Sequence, residues 1–249
     1  MTNEVIWRLL DPGENAVDVG ANIGHMTSVM AFKAGPSGRV VAVEPHPGLF
    51  QELTFNVDVW SRMENSAPIV ARRLALSNRN GNGRLSVPDE FRQNRGLSSL
   101  MSEGASPEPN LFSCDVETST LDRLLGPGRP NIALLKIDCE GHELQVLEGA
   151  EGFVTRGGIR DIVFEEHKPP PTPVTNFLEG NGYAIFYLDG SLFGPVAAPI
   201  TRPYIRKIKD APNYLATLDP KRSNGRIARR GWGVYSVGRF LARARNGSR

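Results

Sequence analysis

The sequence is poor in cysteine and has no long run of apolar residues. Only Cys114 and Cys139 occur in 249 residues, which is too few for a disulfide framework and favours a reducing compartment. No stretch reaches the roughly 18 consecutive apolar residues of a membrane-spanning helix. The first residues also lack the basic and apolar segments of a secretory signal. We therefore expect a cytoplasmic protein without a membrane span.

A strong charge of one sign is also missing from the chain as a whole. The formal net charge is +2, but residues 219–249 carry +8 and leave −6 on the remainder. A mildly acidic body argues against a nucleic-acid enzyme with a basic cleft. Val234, Val237, Phe240 and Leu241 recur at helical spacing in this basic tail, so we expect a helix that docks on the body. Contact with phosphates, acidic partners or a membrane surface is the alternative.

The composition, with 40% hydrophobic and 22% charged residues, excludes a disordered, collagen-like or coiled-coil chain. Apolar runs alternate with helical periodicity along residues 1–218, which predicts the α/β class: one domain with a doubly wound, mostly parallel, seven-stranded sheet and helices on both faces. The predicted strands are 16–19, 39–44, 69–76, 132–138, 161–165, 183–188 and 213–218, with an edge strand at 81–88. The predicted helices are 23–34, 47–59, 143–155 and 172–181. Residues 89–112 are rich in Ser, Gly, Pro and Asn, and we expect a mobile lid or loop there.

In such a sheet the ligand lies beyond the carboxyl ends of the strands. The first strand runs into Asp18-Val-Gly-Ala-Asn-Ile-Gly24, which lacks the Gly-x-Gly-x-x-Gly spacing of a dinucleotide-binding loop. An aspartate beside the turn suits a cationic ligand better than a phosphate. The second strand ends at Glu44, 26 residues after Asp18, where a carboxylate can accept hydrogen bonds from both ribose hydroxyls. Together the two strand ends favour S-adenosylmethionine over NAD.

Three blocks of the sequence resemble the FkbM-type methyltransferase family. They are Asp18-Val-Gly-Ala-Asn-Ile-Gly-His-Met-Thr27, Val43-Glu-Pro-His-Pro47, and Leu135-Lys-Ile-Asp-Cys-Glu-Gly-His-Glu143. The Lys-Ile-Asp-x-Glu-Gly-x-Glu pattern is specific, whereas the glycine loop is shared by many class I methyltransferases. The resemblance implies a Rossmann-like class I fold. It also implies S-adenosylmethionine-dependent O-methylation of hydroxyls on sugars, polyketides or other secondary metabolites, as in natural product biosynthesis.

The first two blocks supply the expected cofactor site. The loop after the first strand would hold the methionine end, and Glu44 would hold the ribose. The family pattern adds Asn56 on the next helix and places the segment Ala75-Leu-Ser77 beside the adenine. The expected cofactor-binding residues are Asp18, Gly20, Ala21, Asn22, Gly24, Thr27, Glu44, Pro45, Asn56 and Ser77. Two departures from the family stand out: little chain precedes the first strand to form a substrate cap, and the basic tail is not part of the shared pattern.

The acceptor side is expected where the next two strands end. An alcohol is a poor nucleophile at neutral pH, so a base or a metal should remove or share its proton. Asp138 and Glu140 follow one strand, and Glu165 and His167 close the other, which makes these four the catalytic candidates. Asp138 and Glu165 could hold Mg²⁺ through oxygen ligands. A metal-free site with His167 or Asp138 as the base fits equally well.

Other polar residues in this block have ordinary interpretations. Lys136 interrupts an apolar strand and is expected to pair with an acid. Glu143 and Glu148 are expected to be solvated helix residues. Cys139 is expected to point into the core and to do no chemistry.

The sequence thus predicts an S-adenosylmethionine-dependent O-methyltransferase with a small glycosylated or hydroxylated acceptor. It predicts neither a nucleic-acid partner nor a membrane span, and it leaves a homo-oligomer open. A non-catalytic S-adenosylmethionine-binding module is the main alternative, and an NAD-dependent oxidoreductase has less support.

Overall fold

The computed structural model describes residues 1–87, 99–100, 112–126, 128, 130–200 and 212–234. The helices are α1 (Thr2–Leu9), α2 (His25–Ala34), α3 (Pro47–Ser61), α4 (Leu121–Leu125), α5 (Glu143–Glu148), α6 (Glu151–Thr155), α7 (Pro173–Gly180) and α8 (Pro220–Ile227). The strands are β1 (Asn15–Val19), β2 (Arg39–Val43), β3 (Ile69–Arg72), β4 (Ala75–Leu76), β5 (Gly81–Val87), β6 (Ser99–Leu100), β7 (Phe112–Ser119), β8 (Ile132–Ile137), β9 (Ile159–Glu165), β10 (Ala184–Ser191), β11 (Gly194–Pro199) and β12 (Asn213–Thr217). Within these described ranges, no helix combines the length and the hydrophobicity needed to cross a bilayer.

The main sheet has eight strands in the order β11-β10-β12-β9-β8-β1-β2-β3. The five strands from β9 to β3 run parallel, whereas β12, β10 and β11 are antiparallel to their neighbours. The predicted α/β class and mostly parallel sheet are confirmed, with one strand more than the seven predicted. The additional strand is β11, which lies at the edge of the sheet. It was not predicted because it contains Pro195 and Pro199, and proline is tolerated in a sheet chiefly at an edge.

Two apolar clusters cover the two faces of the main sheet. Residues of β1 divide between them, since Val17 and Val19 belong to one cluster and Ala16 to the other. The first cluster includes Leu121 of α4, Val146 of α5, Val154 of α6 and Leu178 of α7. The second includes Leu9 of α1, Met30 of α2 and Ile227 of α8. Helices therefore pack on both faces, and the loops at the carboxyl ends of the strands are left to form a site.

A second sheet has four strands in the order β4-β7-β5-β6. The sequence predicted only its strand at 81–88, which is β5. The single strand predicted at 69–76 is wrong, because the chain leaves the main sheet at the exposed Arg73 and β4 joins the second sheet. Its small apolar cluster consists of Ala75, Leu85, Val87 and Val116.

The predicted lid at 89–112 overlaps this second sheet. Residues 99–100 form β6, and Phe112 begins β7. Residues 88–98 and 101–111 lie outside the described residues. Closure of a lid therefore stays a prediction.

The N-terminal helix and the start of the basic tail meet on one face of the main sheet. No helix was predicted at residues 2–9, where α1 packs against both α2 and α8. Ile227 of α8 is buried there, and Arg226 pairs with Asp11 at 2.7 Å. The helix predicted at 234–241 lies outside the described residues beyond its first residue.

Candidate active site

The loop between β1 and α2 packs against the end of β8. Gly20 has a φ of +70°, and a Cβ at this position would come within 1.9 Å of the carbonyl oxygen of Asp138. The N–H groups of Gly20 and Ala21 both donate to the carbonyl of Val43, each at 3.0 Å. Asn22 is also left-handed, with a φ of 53°. The close approach and the positive φ together mean that only glycine fits at position 20.

Asp18 is fully buried beneath this loop. One carboxylate oxygen accepts a 2.6 Å hydrogen bond from the buried Thr27 hydroxyl, and the other lies 3.3 Å from Nζ of Lys136. Lys136 also donates to the Gly20 carbonyl at 2.9 Å and lies 3.5 Å from the Asp138 carboxylate. Burial opposes its charge, but the carboxylates of Asp18 and Asp138 raise the pKa of Lys136 above its usual value. The expected pairing of Lys136 with an acid is confirmed.

Glu44 follows β2 directly and is only 4% exposed. One of its oxygens accepts a hydrogen bond from the Asn22 N–H at 2.8 Å, and the other accepts one from the His46 N–H at 2.9 Å. Burial raises the pKa of the Glu44 carboxyl. Because each carboxylate oxygen can accept about two hydrogen bonds, each retains capacity for a ligand donor.

A cavity of about 240 Å³ opens between these strand ends and the second sheet. Five of the predicted cofactor residues contribute to its wall: Gly20, Ala21, Asn22, Glu44 and Pro45. A leucine-rich part of the wall, here called the apolar wall, consists of Leu74, Ala75, Leu76, Leu85 and Leu100. The cavity therefore has a polar rim formed by the main sheet and an apolar wall formed largely by the second sheet.

The other predicted cofactor residues lie behind the cavity wall. Asp18 and Thr27 form the buried pair described above. Gly24, with a φ of +94°, begins α2. The Asn56 side chain donates to the carbonyl of the residue before Gly24 at 2.8 Å. The Ser77 hydroxyl lies 3.0 Å from a ring nitrogen of His142. These residues hold the elements that form the wall.

Several wall residues with titratable side chains were not among the predicted site residues. His25, Cys139 and His142 line the cavity, although Cys139 also packs against the core as expected. Burial raises the pKa of the Cys139 thiol well above its usual value and lowers the pKa of His142, so both favour their neutral forms. Cys139 and His142 stand close to Glu140 in the third block, and this proximity in the sequence could have indicated that they face the ligand.

The four predicted catalytic residues come together beside this cavity. Asp138, Glu140 and Glu165 each have a carboxylate oxygen within 4.8 Å of the others. His167 extends the group, with Nε2 3.8 Å from the Glu140 carboxylate. Asp138 is the member that lines the cavity among the described residues.

The carboxylates of Asp138 and Glu165 lie within 4.8 Å of each other, close enough for the charge of one to affect the pKa of the other. Burial, together with the Asp138 carboxylate, raises the pKa of Glu165 to about 8. Burial opposes ionisation of Asp138 too, but the Lys136 ammonium holds the pKa of Asp138 below its usual value. These opposite shifts favour a protonated Glu165 beside an ionised Asp138 at neutral pH.

The expectation that Glu143 is solvated is wrong. Glu143 is buried, and its carboxylate accepts hydrogen bonds from the N–H groups of Cys139 at 3.1 Å and Gly141 at 3.2 Å. These bonds support the turn in which Glu140 has a φ of 52°. Glu148 is exposed, as expected. Glu143 thus fixes the backbone that positions the acidic group.

Comparison with known proteins identifies the family of this chain. The FkbM methyltransferase domain matches residues 18–185. The chain is 32% identical over 195 residues to hexuronic acid methyltransferase AglP of Haloferax volcanii, covering 70% of this chain and 72% of that protein. A protein-L-isoaspartate O-methyltransferase of Triticum aestivum is 35% identical over 86 residues, which cover 34% of this chain and 35% of the relative.

Among solved structures, a methyltransferase FkbM from Methylobacillus flagellatus superposes with a TM-score of 0.50 at 14% identity. The aligned part covers 82% of this chain and 43% of that one, so the chain spans less than half of that protein's length. This likeness supports the fold. The domain match includes the glycine loop, Glu44 and the acidic group, which the structure brings to one edge of the main sheet. The chain belongs to the FkbM family of S-adenosylmethionine-dependent methyltransferases.

Proposed function

We propose that the protein methylates a hydroxyl oxygen of a sugar or secondary-metabolite acceptor. The observation that carries this proposal is the placement of the Asp138 and Glu165 carboxylates, within 4.8 Å of each other, beside a cavity whose wall contains Asp138 and Glu44. A pair that can take up a proton suits an acceptor that must lose one. The relative named as a hexuronic acid methyltransferase supports a sugar as the acceptor.

The cavity fits the cofactor in its chemistry. Glu44 would hold the ribose hydroxyls, because each of its oxygens accepts only one of the two backbone hydrogen bonds described above. Residues 20–22 would hold the methionine end, and the apolar wall would cover the adenine. The carboxylates of Glu44 and Asp138 favour a cation in this space. When bound, S-adenosylmethionine supplies a methyl group on a sulfonium, which is a good leaving group.

Asp138 would accept the proton that the acceptor hydroxyl loses. While Glu165 keeps the shared proton, Asp138 is a weak base, because Lys136 stabilises its ionised form. Once the pair has lost that proton, at about pH 8, it accepts another with a pKa close to the working pH. Such a base contributes about 10²- to 10⁴-fold to the rate. His167, beside Glu140, is the second candidate for this role.

A divalent cation such as Mg²⁺ is the alternative occupant of the acidic group, since three carboxylate oxygens lie within 4.8 Å of one another. We favour the shared proton because Lys136 already places a positive charge 3.5 Å from Asp138. A second cation there would meet repulsion as well as attraction. A chelator distinguishes the two, as described in the Discussion.

Two alternative functions require different residues at this site. A non-catalytic S-adenosylmethionine-binding module needs Glu44 and the loop at residues 20–22 but not the Asp138–Glu165 pair. An NAD-dependent oxidoreductase needs a phosphate-binding glycine loop, which the spacing after β1 does not provide.

The proposal is tested with methyl-labelled S-adenosylmethionine and a panel of hexuronic acids, glycosides and hydroxylated metabolites. We expect label in a base-stable ether on a hydroxyl oxygen, and loss of that product in Asp138→Asn with binding of S-adenosylhomocysteine retained. Glu148→Gln, an exposed acid on α5, is the matched control and should leave turnover unchanged. Label in a nitrogen or in a base-labile ester would contradict methylation of a hydroxyl. Cofactor binding without any methylated acceptor would favour the binding module.

A further inference from the structure

The turn between β10 and β11 exposes two large apolar side chains. Leu192 is 86% exposed and Phe193 is 64% exposed, and Val196 on β11 is also exposed. Neighbouring apolar residues at the tip of a hairpin leave a patch that water solvates poorly, and such patches commonly mark contact with another molecule or a lipid phase. This tip is not part of the cofactor cavity.

Basic residues of the C-terminal segment lie against this tip. The Arg230 guanidinium lies 5.6 Å from the centre of the Phe193 ring, and the Gly231 N–H donates to the Phe193 carbonyl at 2.9 Å. Arg229 and Arg230 are both exposed. The apolar tip is therefore continuous with a positively charged strip.

A groove continues the strip between α1, α2 and the C-terminal segment. It encloses about 360 Å³, and Trp7, Lys33, Arg229, Arg230 and Trp232 contribute to its lining. The Lys33 ammonium lies 5.1 Å from the centre of the Trp7 ring. We call the hairpin tip and this groove together the basic surface.

The positive charge of the basic surface is only partly neutralised. Glu4 and Asp11 also line the groove, but Glu4 pairs with Arg8, and Asp11 pairs with Arg222 and Arg226. Among the residues that the structure describes, no carboxylate lies within ion-pair distance of Lys33, Arg229 or Arg230. Beyond residue 234 the sequence adds four arginines and no acidic residue. Among the described residues, Arg229 and Arg230 therefore leave an excess of positive charge beside the two exposed apolar side chains.

We propose that the basic surface binds the face of an anionic lipid bilayer. Leu192 and Phe193 would enter the boundary between headgroups and acyl chains, while Lys33, Arg229 and Arg230 contact lipid phosphates. Trp7 and Trp232 suit the same depth, because an indole ring is apolar with one polar edge. A polyanion such as RNA would leave the protruding Leu192 without a partner.

A second copy of the chain is a poorer occupant of this surface, because a symmetric contact would bring like charges together. The surface is also connected to the active site through α1. Asn3 on α1 lies 2.6 Å from a ring nitrogen of His25, and His25 lines the cofactor cavity. A helix of this length spans about 12 Å, so docking would hold the cavity close to the bilayer.

Vesicle flotation with the full chain tests this proposal. We expect binding to vesicles of phosphatidylcholine mixed with phosphatidylglycerol, little binding to phosphatidylcholine alone, and release by high salt. Replacing both tip residues (Leu192→Ser with Phe193→Ser) should weaken binding about tenfold or more. Replacing both arginines (Arg229→Gln with Arg230→Gln) should weaken it about fivefold for each charge.

Matched controls lie on α3, on a different part of the surface. Phe55→Ser removes an apolar side chain that is 70% exposed, and Arg62→Gln removes an exposed charge, so neither should change vesicle binding. Thermal melts check that every variant folds. Equal binding by the tip variant and the wild type would overturn the proposal. So would RNA binding without vesicle binding, or a dimer that the tip variant dissociates in the absence of vesicle binding.

Discussion

Two buried aspartates of the main sheet are held in different ways. Asp161 on β9 lies toward the amino ends of the parallel strands, and its carboxylate accepts four hydrogen bonds. The donors are the side chains of Thr217 (2.7 Å), Ser223 (2.9 Å), Arg160 (2.9 Å) and Arg222 (3.2 Å). Asp18 on β1 lies toward the carboxyl ends, accepts one hydrogen bond from Thr27 and lies 3.3 Å from Lys136.

This difference assigns a stabilising role to the Asp161 network and a proposed catalytic role to the carboxylates near Asp18. Around Asp161 the charges are matched, and the network ties β9 to β12 and to α8. Around Asp18 a single ammonium, that of Lys136, is shared with Asp138. Burial and the Asp138 carboxylate raise the pKa of the neighbouring Glu165, which suits the pair to the proposed role of a base. Variants at the two ends should therefore affect different measurements.

The largest effect is expected from Asp138→Asn. An asparagine cannot take up the acceptor's proton, so kcat should fall by about 10²- to 10⁴-fold, while the midpoint of thermal unfolding changes little. Single-turnover transfer of a labelled methyl group measures the rate. If this variant kept the wild-type rate, Asp138 would not be the base.

Asp161→Asn should give the converse result. Losing the charge leaves two arginines without their shared buried carboxylate, which should lower the free energy of unfolding by about 3–5 kcal/mol. Turnover at low temperature should persist. Urea denaturation gives the free energy. Asp58→Asn, which breaks the exposed pair with Arg62, is the control and should cost under about 1 kcal/mol. A similar small loss for Asp161→Asn would show that this network does not stabilise the fold.

Glu44→Gln tests the binding of the cofactor at the carboxyl ends of the strands. The amide keeps one acceptor oxygen but brings an NH₂ group close to the backbone donors of Asn22 and His46. Loss of a hydrogen bond to a charged group costs about 1.5–3 kcal/mol, or roughly 10- to 100-fold in Kd for S-adenosylhomocysteine. Titration calorimetry measures this, with the exposed Glu151→Gln as the control. Unchanged affinity would refute the assignment of Glu44 to the ribose.

The dependence of kcat on pH tests the raised pKa of the Asp138–Glu165 pair. Because the raised pKa keeps a proton on the Asp138–Glu165 pair below about pH 8, the ionised fraction and hence kcat should rise with pH and level off above that value. Glu165→Gln should remove this inflection and lower the plateau. A wild-type profile that is flat from pH 6 to about 9 would contradict a base with this pKa.

The smallest effect is expected from a chelator. If the acidic group holds a proton, EDTA followed by dialysis should leave kcat unchanged. If it holds Mg²⁺ instead, activity should vanish and return when the ion is restored. The measurement decides between the two occupants of the same carboxylates.

The elements that carry chemistry were predictable because local sequence determines them. Buried parallel strands appear in a sequence as short apolar runs. A carboxylate that ends such a run lies at the carboxyl edge of the sheet, where ligands bind in such folds, and Glu44 and Asp138 both lie there. Lys136 was identified as paired because an ammonium inside an apolar strand needs a counter-charge. None of these inferences depends on distant parts of the chain.

Most of the second sheet and the burial of Glu143 could not be predicted, because distant contacts determine them. The edge strand expected at 81–88 is β5, but β4 and β6 have two residues each, so neither length nor propensity indicates them as strands. β4 pairs with β7, where Ala75 lies opposite Thr118, 43 residues further along the chain, and β6 pairs with β5. Glu143 resembles a solvated acid at a helix start, and only the folded turn at residues 139–141 offers it buried N–H donors.

We propose that the carboxyl edge of the main sheet holds S-adenosylmethionine with Glu44 on its ribose. Isothermal titration of the purified chain with S-adenosylhomocysteine tests this binding. We expect saturable binding to the wild type, much weaker binding to Glu44→Ala, and no competition from NAD. Tight binding of NAD, together with no heat from either S-adenosylmethionine or its demethylated product, would contradict it.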